Sequence, residues 1–264
     1  MTRIIAVANQ KGGVGKTTTA VNLGASLAVA EKRTLLVDVD PQGNSTTGLG
    51  LDRANLKNSL YHALIGANSL TEVICETALP YLLVAPASRD LIGAEIELVN
   101  VEQREWRLKE ALQPVEHEFD YVLLDCPPSL GLLTLNALTA ADSLLVPLQC
   151  EYYALEGLSS LLETLKLVQR GLNPALFLEG ILLTMFDSRN RLSHQVAEEI
   201  RSHFPDRLFR TVIYRNVRLS ESPSHGKPAL LYDVHSTGAQ NYLELAKELI
   251  QNGEENRRAE KGTR

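Results

Sequence analysis

The feature that most constrains this chain is a glycine-rich run, NQKGGVGKTT, at residues 9–18. A strand-like apolar stretch at 4–8 precedes it and a helical pattern at 17–30 follows it. Glycines in such a loop let consecutive backbone N–H groups turn towards an oligophosphate, and the N-terminus of the next helix adds partial positive charge. The run therefore predicts a phosphate-binding loop that connects the first strand of an α/β fold to its first helix.

The side chains of this loop have the chemistry that a nucleoside triphosphate requires. Lys16 can reach the terminal phosphates, and the Thr17 hydroxyl can ligate magnesium. The usual pattern has glycine where Gln10 stands, and here a second lysine, Lys11, follows that position. The predicted nucleotide-binding set in the loop is Lys11, Gly12, Gly13, Val14, Gly15, Lys16, Thr17 and Thr18.

Strand and helix patterns alternate along the rest of the chain. Strands are predicted at 4–8, 34–39, 81–86, 121–125, 143–147, 178–184 and 211–213, and helices at 17–30, 56–65, 91–112, 132–140, 155–170, 193–203 and 238–251. Several strands are apolar on both faces, as a buried parallel sheet requires. The pattern predicts a single α/β domain over 1–251, a doubly wound and mostly parallel sheet with helices on both faces. The charged tail, 252–264, is predicted to be disordered.

Two predicted strands end in aspartates, where ligands of such sheets bind. Asp38 and Asp40 alternate at the end of the second strand and are expected on the same side, next to the phosphate loop. Either could orient a water molecule or hold magnesium through water, and the same stretch is also good turn chemistry. Asp125 ends the apolar strand at 121–125 and is predicted to lie near the metal.

The run KGGVGKT, residues 11–17, resembles the deviant Walker A loop of the ParA/MinD group of P-loop ATPases. The resemblance implies that Lys11 crosses a dimer interface to the partner's nucleotide, and that Gly12 lies where the two backbones approach. It also implies that Asp40 helps to activate the hydrolytic water and that Asp125 lies in the second shell of Mg²⁺. The resemblance thus makes Lys11, Lys16 and Asp40 the catalytic candidates, and Thr17 and Asp125 the metal candidates.

A second segment, residues 213–228, resembles a late signature of the ParA family that lines the adenine pocket. Asn216 is the corresponding base-binding candidate. Tyr214 stands where the family usually has proline. Arg189 and Arg218 match positions that contact DNA in chromosomal ParA proteins, and contacts to phosphates from arginine are independent of sequence.

The resemblance to ParA/Soj-type chromosome or plasmid partitioning ATPases extends to about residue 250. It implies a cycle in which ATP and Mg²⁺ binding produces a sandwich homodimer that binds DNA non-specifically. A ParB/Spo0J-type centromere-binding partner would then stimulate hydrolysis and release the DNA. Localisation in the cytoplasm, on the nucleoid, is the corresponding expectation, with no membrane partner.

Charge distribution is compatible with a local DNA-binding face. The net charge is −6, yet residues 187–227 carry eight basic and five acidic side chains. No apolar run approaches the roughly 20 residues that span a bilayer. Three scattered cysteines indicate neither a disulfide framework nor a zinc site, which favours a reducing compartment.

Three other functions share parts of this pattern. A MinD-like membrane-cycling ATPase would need an amphipathic C-terminal helix, and no large apolar residue follows Ile250. An electron-transfer protein related to nitrogenase iron protein would need two suitably placed cysteines per chain. An ATP-dependent metabolic ligase, such as a relative of dethiobiotin synthetase, shares the phosphate loop, but Lys11 and the arginine segment favour the partitioning branch.

Overall fold

The protein forms a single seven-stranded sheet with helices on both faces, as the sequence predicts. The structure is a computed structural model that describes residues 2–262, with side chains as far as residue 255. The strands are β1 (Arg3–Val7), β2 (Thr34–Asp38), β3 (Cys75–Glu76), β4 (Leu82–Ala85), β5 (Tyr121–Asp125), β6 (Ser143–Gln149) and β7 (Phe177–Thr184). Their order is β3-β4-β2-β5-β1-β6-β7, and all pairs are parallel except β3 with β4.

The central strands are buried on both faces because successive side chains enter two different cores. In β1, Ile4 and Ala6 pack into one core, whereas Ile5 and Val7 pack into the other. All residues of β2 and β5 are buried. A fully buried aliphatic side chain contributes roughly 1.5–3 kcal/mol, so these continuous apolar strands dominate the stability of the sheet.

Twelve α-helices, some of a single turn, are described within residues 2–262, besides short 3₁₀ turns. They are α1 (Lys16–Val29), α2 (Asn44–Gly48), α3 (Leu60–Leu64), α4 (Leu70–Val73), α5 (Leu91–Glu97), α6 (Arg107–Leu112), α7 (Leu132–Ala140), α8 (Ala154–Gly171), α9 (Arg191–His203), α10 (Val217–Glu221), α11 (Ala229–Tyr232) and α12 (Thr237–Gly262). Helices α1, α11 and α12 cover one face of the sheet, and α3 to α9 cover the other. Connections from strand to helix place the phosphate loop at the carboxyl end of β1.

The predicted helix over 91–112 is wrong, because the chain breaks it into two. Helix α5 ends at Glu97, single 3₁₀ turns follow, and α6 starts at Arg107. Gln103 has a left-handed backbone, φ 55°, which a continuous helix cannot contain. Asn136 of α7 then joins the last 3₁₀ turn to α6, with its Oδ1 accepting from Leu108 N at 3.0 Å and its Nδ2 donating to Arg104 O at 2.9 Å.

Two further expectations need correction. Residues 211–213 form no strand, because the Thr211 N–H donates to the Glu248 carboxylate (2.9 Å) and only Ile213 bonds to β7. The tail from 252 was expected to lack structure, but the backbone of α12 is helical to Gly262. Residues 263–264 lie outside the described part of the chain. No helix that the structure describes is both long and apolar enough to cross a bilayer.

Candidate nucleotide-binding site

A cavity of about 550 Å³ opens at the carboxyl ends of the strands, beside the phosphate loop. This volume lies within the range typical of small-molecule sites. Of the residues predicted from sequence, Gly12, Gly13, Gly15, Lys16, Thr17, Thr18, Asp40 and Asn216 line it. Met185, Ile213, Leu219 and Tyr242 add an apolar part, so one end suits phosphates and the other a flat base. Lys11, Val14 and Asp125 do not line the cavity.

The phosphate loop is held rigidly by its neighbours. Asn9 Nδ2 donates to Pro147 O (2.8 Å), and its Oδ1 accepts from Lys11 N (3.0 Å). Thr184, at the end of β7, donates its hydroxyl to Val14 O at 2.8 Å. Gly13 and Gly15 have φ of 74° and 88°, values that side chains disfavour. These bonds pre-form the loop before any ligand arrives.

The start of α1 is an anion site by its construction. Gly15 is its N-cap and carries no side chain, so the first-turn N–H groups are not capped from that position. Lys16 Nζ donates to Lys11 O at 3.0 Å, which places its ammonium group across the mouth of the loop. Burial lowers the pKa of Lys16, although nearby Asp125 and Asp40 favour its charged form. A phosphate group would supply the anion that this buried cation lacks.

Asp125 satisfies the chemistry of a magnesium site. It is fully buried at the end of β5, and its Oδ2 accepts from Ser45 Oγ at 2.7 Å. Its other oxygen, Oδ1, has no hydrogen-bond partner in the structure. Burial raises the pKa of Asp125, although the hydrogen bond from Ser45 and the nearby Thr17 hydroxyl oppose the shift. An orphaned buried carboxylate oxygen beside the Thr17 hydroxyl fits Mg²⁺, which keeps several waters and uses few protein ligands.

The described side chains offer few ligands for a metal ion at this site. Among the residues that the structure describes, no three His, Cys, Asp or Glu side chains are clustered to hold a metal ion. A metal ion at Thr17 and Asp125 would therefore depend on oxygens of a bound phosphate, as Mg²⁺ does in phosphoryl-transfer sites.

Asp38 and Asp40 have different environments, although both end the same strand. Asp40 lines the cavity, and its Oδ1 accepts from Gln42 N at 2.9 Å. Asp38 does not face the cavity, contrary to the expectation that both flank the loop. Its Oδ2 accepts from Thr46 N (2.8 Å) and Thr46 Oγ1 (2.7 Å), so it fixes α2 to the sheet. Burial, and then the nearby Asp125 carboxylate, raises the pKa of Asp38.

Lys11 lies outside the cavity of its own chain. Its Nζ forms an ion pair with Glu151, which follows β6, and about 41% of its side chain is exposed. Gly12 beside it is open, since a Cβ there would meet no heavy atom within 4 Å. The Lys11 side chain therefore points to solvent, whereas Gly12, Gly13 and Lys16 line the cavity.

The late segment, residues 213–228, lies beside the cavity. Asn216 lines the cavity, and its Oδ1 caps α10 by accepting from Arg218 N at 2.9 Å, so its amide N–H₂ remains for a base. Tyr214, in place of proline, donates its N–H to Asn241 Oδ1 of α12 (3.3 Å), a bond that proline could not make. Its ring packs edge-on against Phe186, with centroids 5.8 Å apart.

The two segments that carry Arg189 and Arg218 lie side by side. Phe186 N donates to Ile213 O (3.0 Å), and Arg215 N donates to Phe186 O (3.1 Å). Arg189 is 88% exposed and binds Asp187, whose pKa it lowers to about 2. Arg218 binds Glu221 (2.8 Å) and Asp233 (3.3 Å). The structure thus joins residues 186–189 and 213–218 in one basic surface at the edge of the cavity.

Sequence reasoning missed several residues that build the site. Ser45 and Thr46 connect α2 to the two buried carboxylates. Arg53 packs on Gly43 and donates to the Pro41 carbonyl at 3.0 Å, which holds the loop containing Asp40. Consecutive hydroxyl residues directly after the loop, Ser45 to Thr47, were the available signal. Nothing local in the sequence indicates that Thr184 or Arg53 contacts the site.

Comparison with known proteins identifies the family. A family model described as an AAA domain matches residues 2–178. The chain is 60% identical to the chromosome partitioning protein ParA of Myxococcus xanthus, covering 94% of this chain and 88% of that one. It is 58% identical to the sporulation initiation inhibitor protein Soj of Bacillus subtilis, covering 96% and 100%. The chain belongs to the ParA/Soj family of partitioning ATPases. It is therefore an ATPase, with ATP as substrate and Mg²⁺ as metal cofactor.

Solved structures of related proteins agree with this fold. One, titled cobyrinic acid a,c-diamide synthase from Mycobacterium smegmatis with bound ADP and magnesium, is 40% identical with a TM-score of 0.85 and covers 96% of both chains. Another, the cell division ATPase MinD of Pyrococcus furiosus, is 26% identical with a TM-score of 0.78, covering 95% of this chain and 99% of that one. The identity to partitioning proteins is higher than to either structure.

Proposed function

We propose that this ParA/Soj family member is an ATP-driven switch, in which two copies pair face to face around two ATP molecules. The observation that carries this proposal is the position of Lys11. A second loop lysine that points out of its own cavity, beside a glycine with open space over it, is arranged to act on a nucleotide in another copy. There it would stabilise charge that develops on the transferred phosphoryl group, as an arginine finger does.

Hydrolysis then uses residues of both copies. Lys16 and the first-turn N–H groups of α1 bind the phosphates, and Asp40 orients the attacking water. Thr17 would hold Mg²⁺ directly and Asp125 would hold it through water or through Thr17; the metal supplies charge neutralisation between the phosphates. Asn216 and the apolar wall near Tyr242 bind adenine. ATP hydrolysis by such a switch is slow until a second protein completes the set of groups that act on ATP.

The basic surface formed by 186–189 and 213–218 is the proposed DNA-binding face. Arg189 and Arg218 are exposed and paired with carboxylates of the same chain, so DNA phosphates would replace the carboxylates that these arginines already bind. A few phosphate contacts per copy are weak and sensitive to salt. Pairing two copies doubles the number of contacts to DNA phosphates. Because the pair forms only with ATP, the affinity for DNA depends on ATP. Hydrolysis stimulated by a ParB-type partner would separate the copies and release DNA, on the nucleoid.

The electron-transfer alternative receives no support from the cysteines. Cys126 and Cys150 are buried, and burial raises the pKa of both thiols, that of Cys150 to about 11. A cluster shared between two copies needs exposed thiolates.

Gel retardation of a non-specific DNA fragment tests the proposed function. The wild type is expected to retard DNA with a slowly hydrolysed ATP analogue and not with ADP. Arg189→Glu with Arg218→Glu should bind the analogue normally yet lose retardation, whereas charge reversal at the opposite end of the sheet, Arg33→Glu with Arg170→Glu, should keep it. Retardation by the first double variant at low salt would reject this face.

A further inference from the structure

An apolar stripe along α5 and the 3₁₀ turn that follows it, Leu98–Asn100, is exposed to solvent. Ile92, Ile96 and Val99 are 53%, 72% and 52% exposed, whereas Leu91, Ala94 and Leu98 on the other side are buried. The spacing of four and three residues puts the three exposed side chains on one helical face. We call Ile92, Ile96 and Val99 the α5 surface. Single exposed apolar residues are ordinary, but a contiguous stripe is typical of a binding site.

The border of the α5 surface is acidic. Five carboxylates and two arginines lie within residues 89–105, and Arg104 is paired with Glu105 of the same segment. Asp90 and Glu97 bind only neutral groups that the structure records, the hydroxyls of Ser88 and Tyr61, so their charges are not neutralised by these contacts. An apolar stripe with an acidic border is complementary to a segment with leucine-like side chains on one face and Lys or Arg beside them.

Hydrogen bonds connect the start of α5 to the loop that contains Asp40. Just before α5, Ala87 N donates to Thr46 Oγ1 at 2.9 Å, and the same hydroxyl donates to Asp38. Thr46 belongs to α2, which directly follows that loop. A displacement of α5 would therefore act on the residues that position the attacking water.

A second contact connects α5 to the loop that follows Asp125. Glu95 packs so closely over Gly131 that a methyl group on Gly131 would overlap with Glu95 Oε1. Gly131 is the N-cap of α7 and ends the loop that starts at Cys126. Helix α2, which follows the Asp40 loop, and the loop that follows β5 thus each contact α5 or the residues just before it.

We propose that the α5 surface is the docking site for a cationic, amphipathic segment of the hydrolysis-stimulating partner, and that docking acts on both loops. This rests on the proposed function, in which a partner stimulates turnover. A second copy of this chain is a poorer occupant, because two acidic borders brought together in a symmetric pair repel each other.

Stimulated ATP hydrolysis by the purified ParB-type protein of the same genome tests the proposal. Ile92→Ser with Ile96→Ser should need about tenfold more partner for half-maximal stimulation, the effect expected for loss of central apolar anchors. Glu102→Lys, at the exposed border, should raise that concentration as well. Leu167→Ser, an equally exposed apolar residue on α8, is the matched control and should behave as wild type. Melting curves by circular dichroism verify that each variant is folded.

The results separate this proposal from the function on which it rests. Unchanged basal turnover, nucleotide affinity and DNA retardation in the α5 variants, with weakened stimulation, support the docking site. Stimulation equal to wild type in both α5 variants overturns it while leaving the ATP-driven switch intact. Loss of the ATP-dependent dimer in the isoleucine variant also overturns it, since the surface would then belong to the contact between copies. Failure of the partner to stimulate even the wild type overturns the partner step of the proposed function, and the docking site with it.

Discussion

Two carboxylates at the end of one strand show how burial decides the role of a residue. Asp38 and Asp40 are two residues apart and chemically identical. Asp40 reaches the cavity, whereas Asp38 turns into the protein and binds both the N–H and the hydroxyl of Thr46. The sequence places both near the phosphate loop, but only the packing of α2 against β2 assigns one to the substrate and the other to structure.

The raised pKa of Asp38 predicts a pH-dependent stability. Burial raises this pKa from 3.8 to about 8, so in that interval the folded protein holds a proton that the unfolded chain releases. The contribution of Asp38 to stability is thus complete at acidic pH and is lost as the pH rises through that interval. In the absence of nucleotide and metal, the free energy of unfolding of the wild type should fall relative to that of Asp38→Asn between about pH 4 and pH 8.

Urea unfolding at several pH values measures this difference. The Asn side chain presents an oxygen to Thr46 and does not titrate, so any constant cost of the substitution cancels in the slope. A difference between wild type and variant that stays constant with pH would contradict the prediction.

At the scale of elements, the break between α5 and α6 depends on one buried side chain. Asn136 of α7 is fully buried and binds Leu108 N, Arg104 O and Leu132 O. The periodicity of residues 91–112 predicts a continuous helix because periodicity reports only apolar spacing. It contains no information about Asn136, a polar residue 28 positions after Leu108 that accepts a hydrogen bond from the Leu108 N–H.

Removal of this side chain should destabilise the fold without affecting the nucleotide site. Asn136→Ala leaves a buried N–H and a buried carbonyl unpaired, and each such group costs roughly 1–3 kcal/mol. We expect a loss of about 2–4 kcal/mol in the free energy of urea unfolding. Asn100→Ala, in the exposed 3₁₀ turn, is the control and should lie within about 0.5 kcal/mol of wild type. Equal stability of the two variants would show that the break does not depend on Asn136.

At the scale of the whole molecule, a substitution at Gly12 should affect assembly of the dimer without affecting folding of the single chain. Because a Cβ on Gly12 meets nothing within one chain, Gly12→Val should fold and bind ATP as the wild type does. In the proposed dimer the same side chain lies between two backbones, so the variant should remain a monomer with a slowly hydrolysed analogue. Analytical ultracentrifugation measures this, with Gly171→Val, equally open at the far end of α8, as the control. A normal dimer from the Gly12 variant would reject the proposed pairing.

The ion pair between Lys11 and Glu151 predicts a substitution that favours the dimer instead of preventing it. Within one chain this pair holds Lys11 away from a second copy, and such exposed pairs contribute about 0.2–1 kcal/mol. Because two such pairs break when a symmetric dimer forms, Glu151→Gln should lower the protein concentration for half-maximal dimer formation with the analogue by up to about thirtyfold. Glu163→Gln on the exposed face of α8 is the control. A higher concentration for the Glu151 variant would mean that Glu151 acts within the dimer instead.

The sequence by itself determined the fold class, the phosphate loop and most of the residues that line the cavity, because strand–loop–helix chemistry and apolar periodicity are local. It also determined the family, through Lys11 and the segment around Asn216. Tertiary structure alone decided that Asp38 leaves the cavity, that Lys11 pairs with Glu151, and that Ser45 and Thr184 support the site. Those contacts join residues 8 to 170 positions apart, and no local pattern specifies which distant side chain a buried polar group will meet.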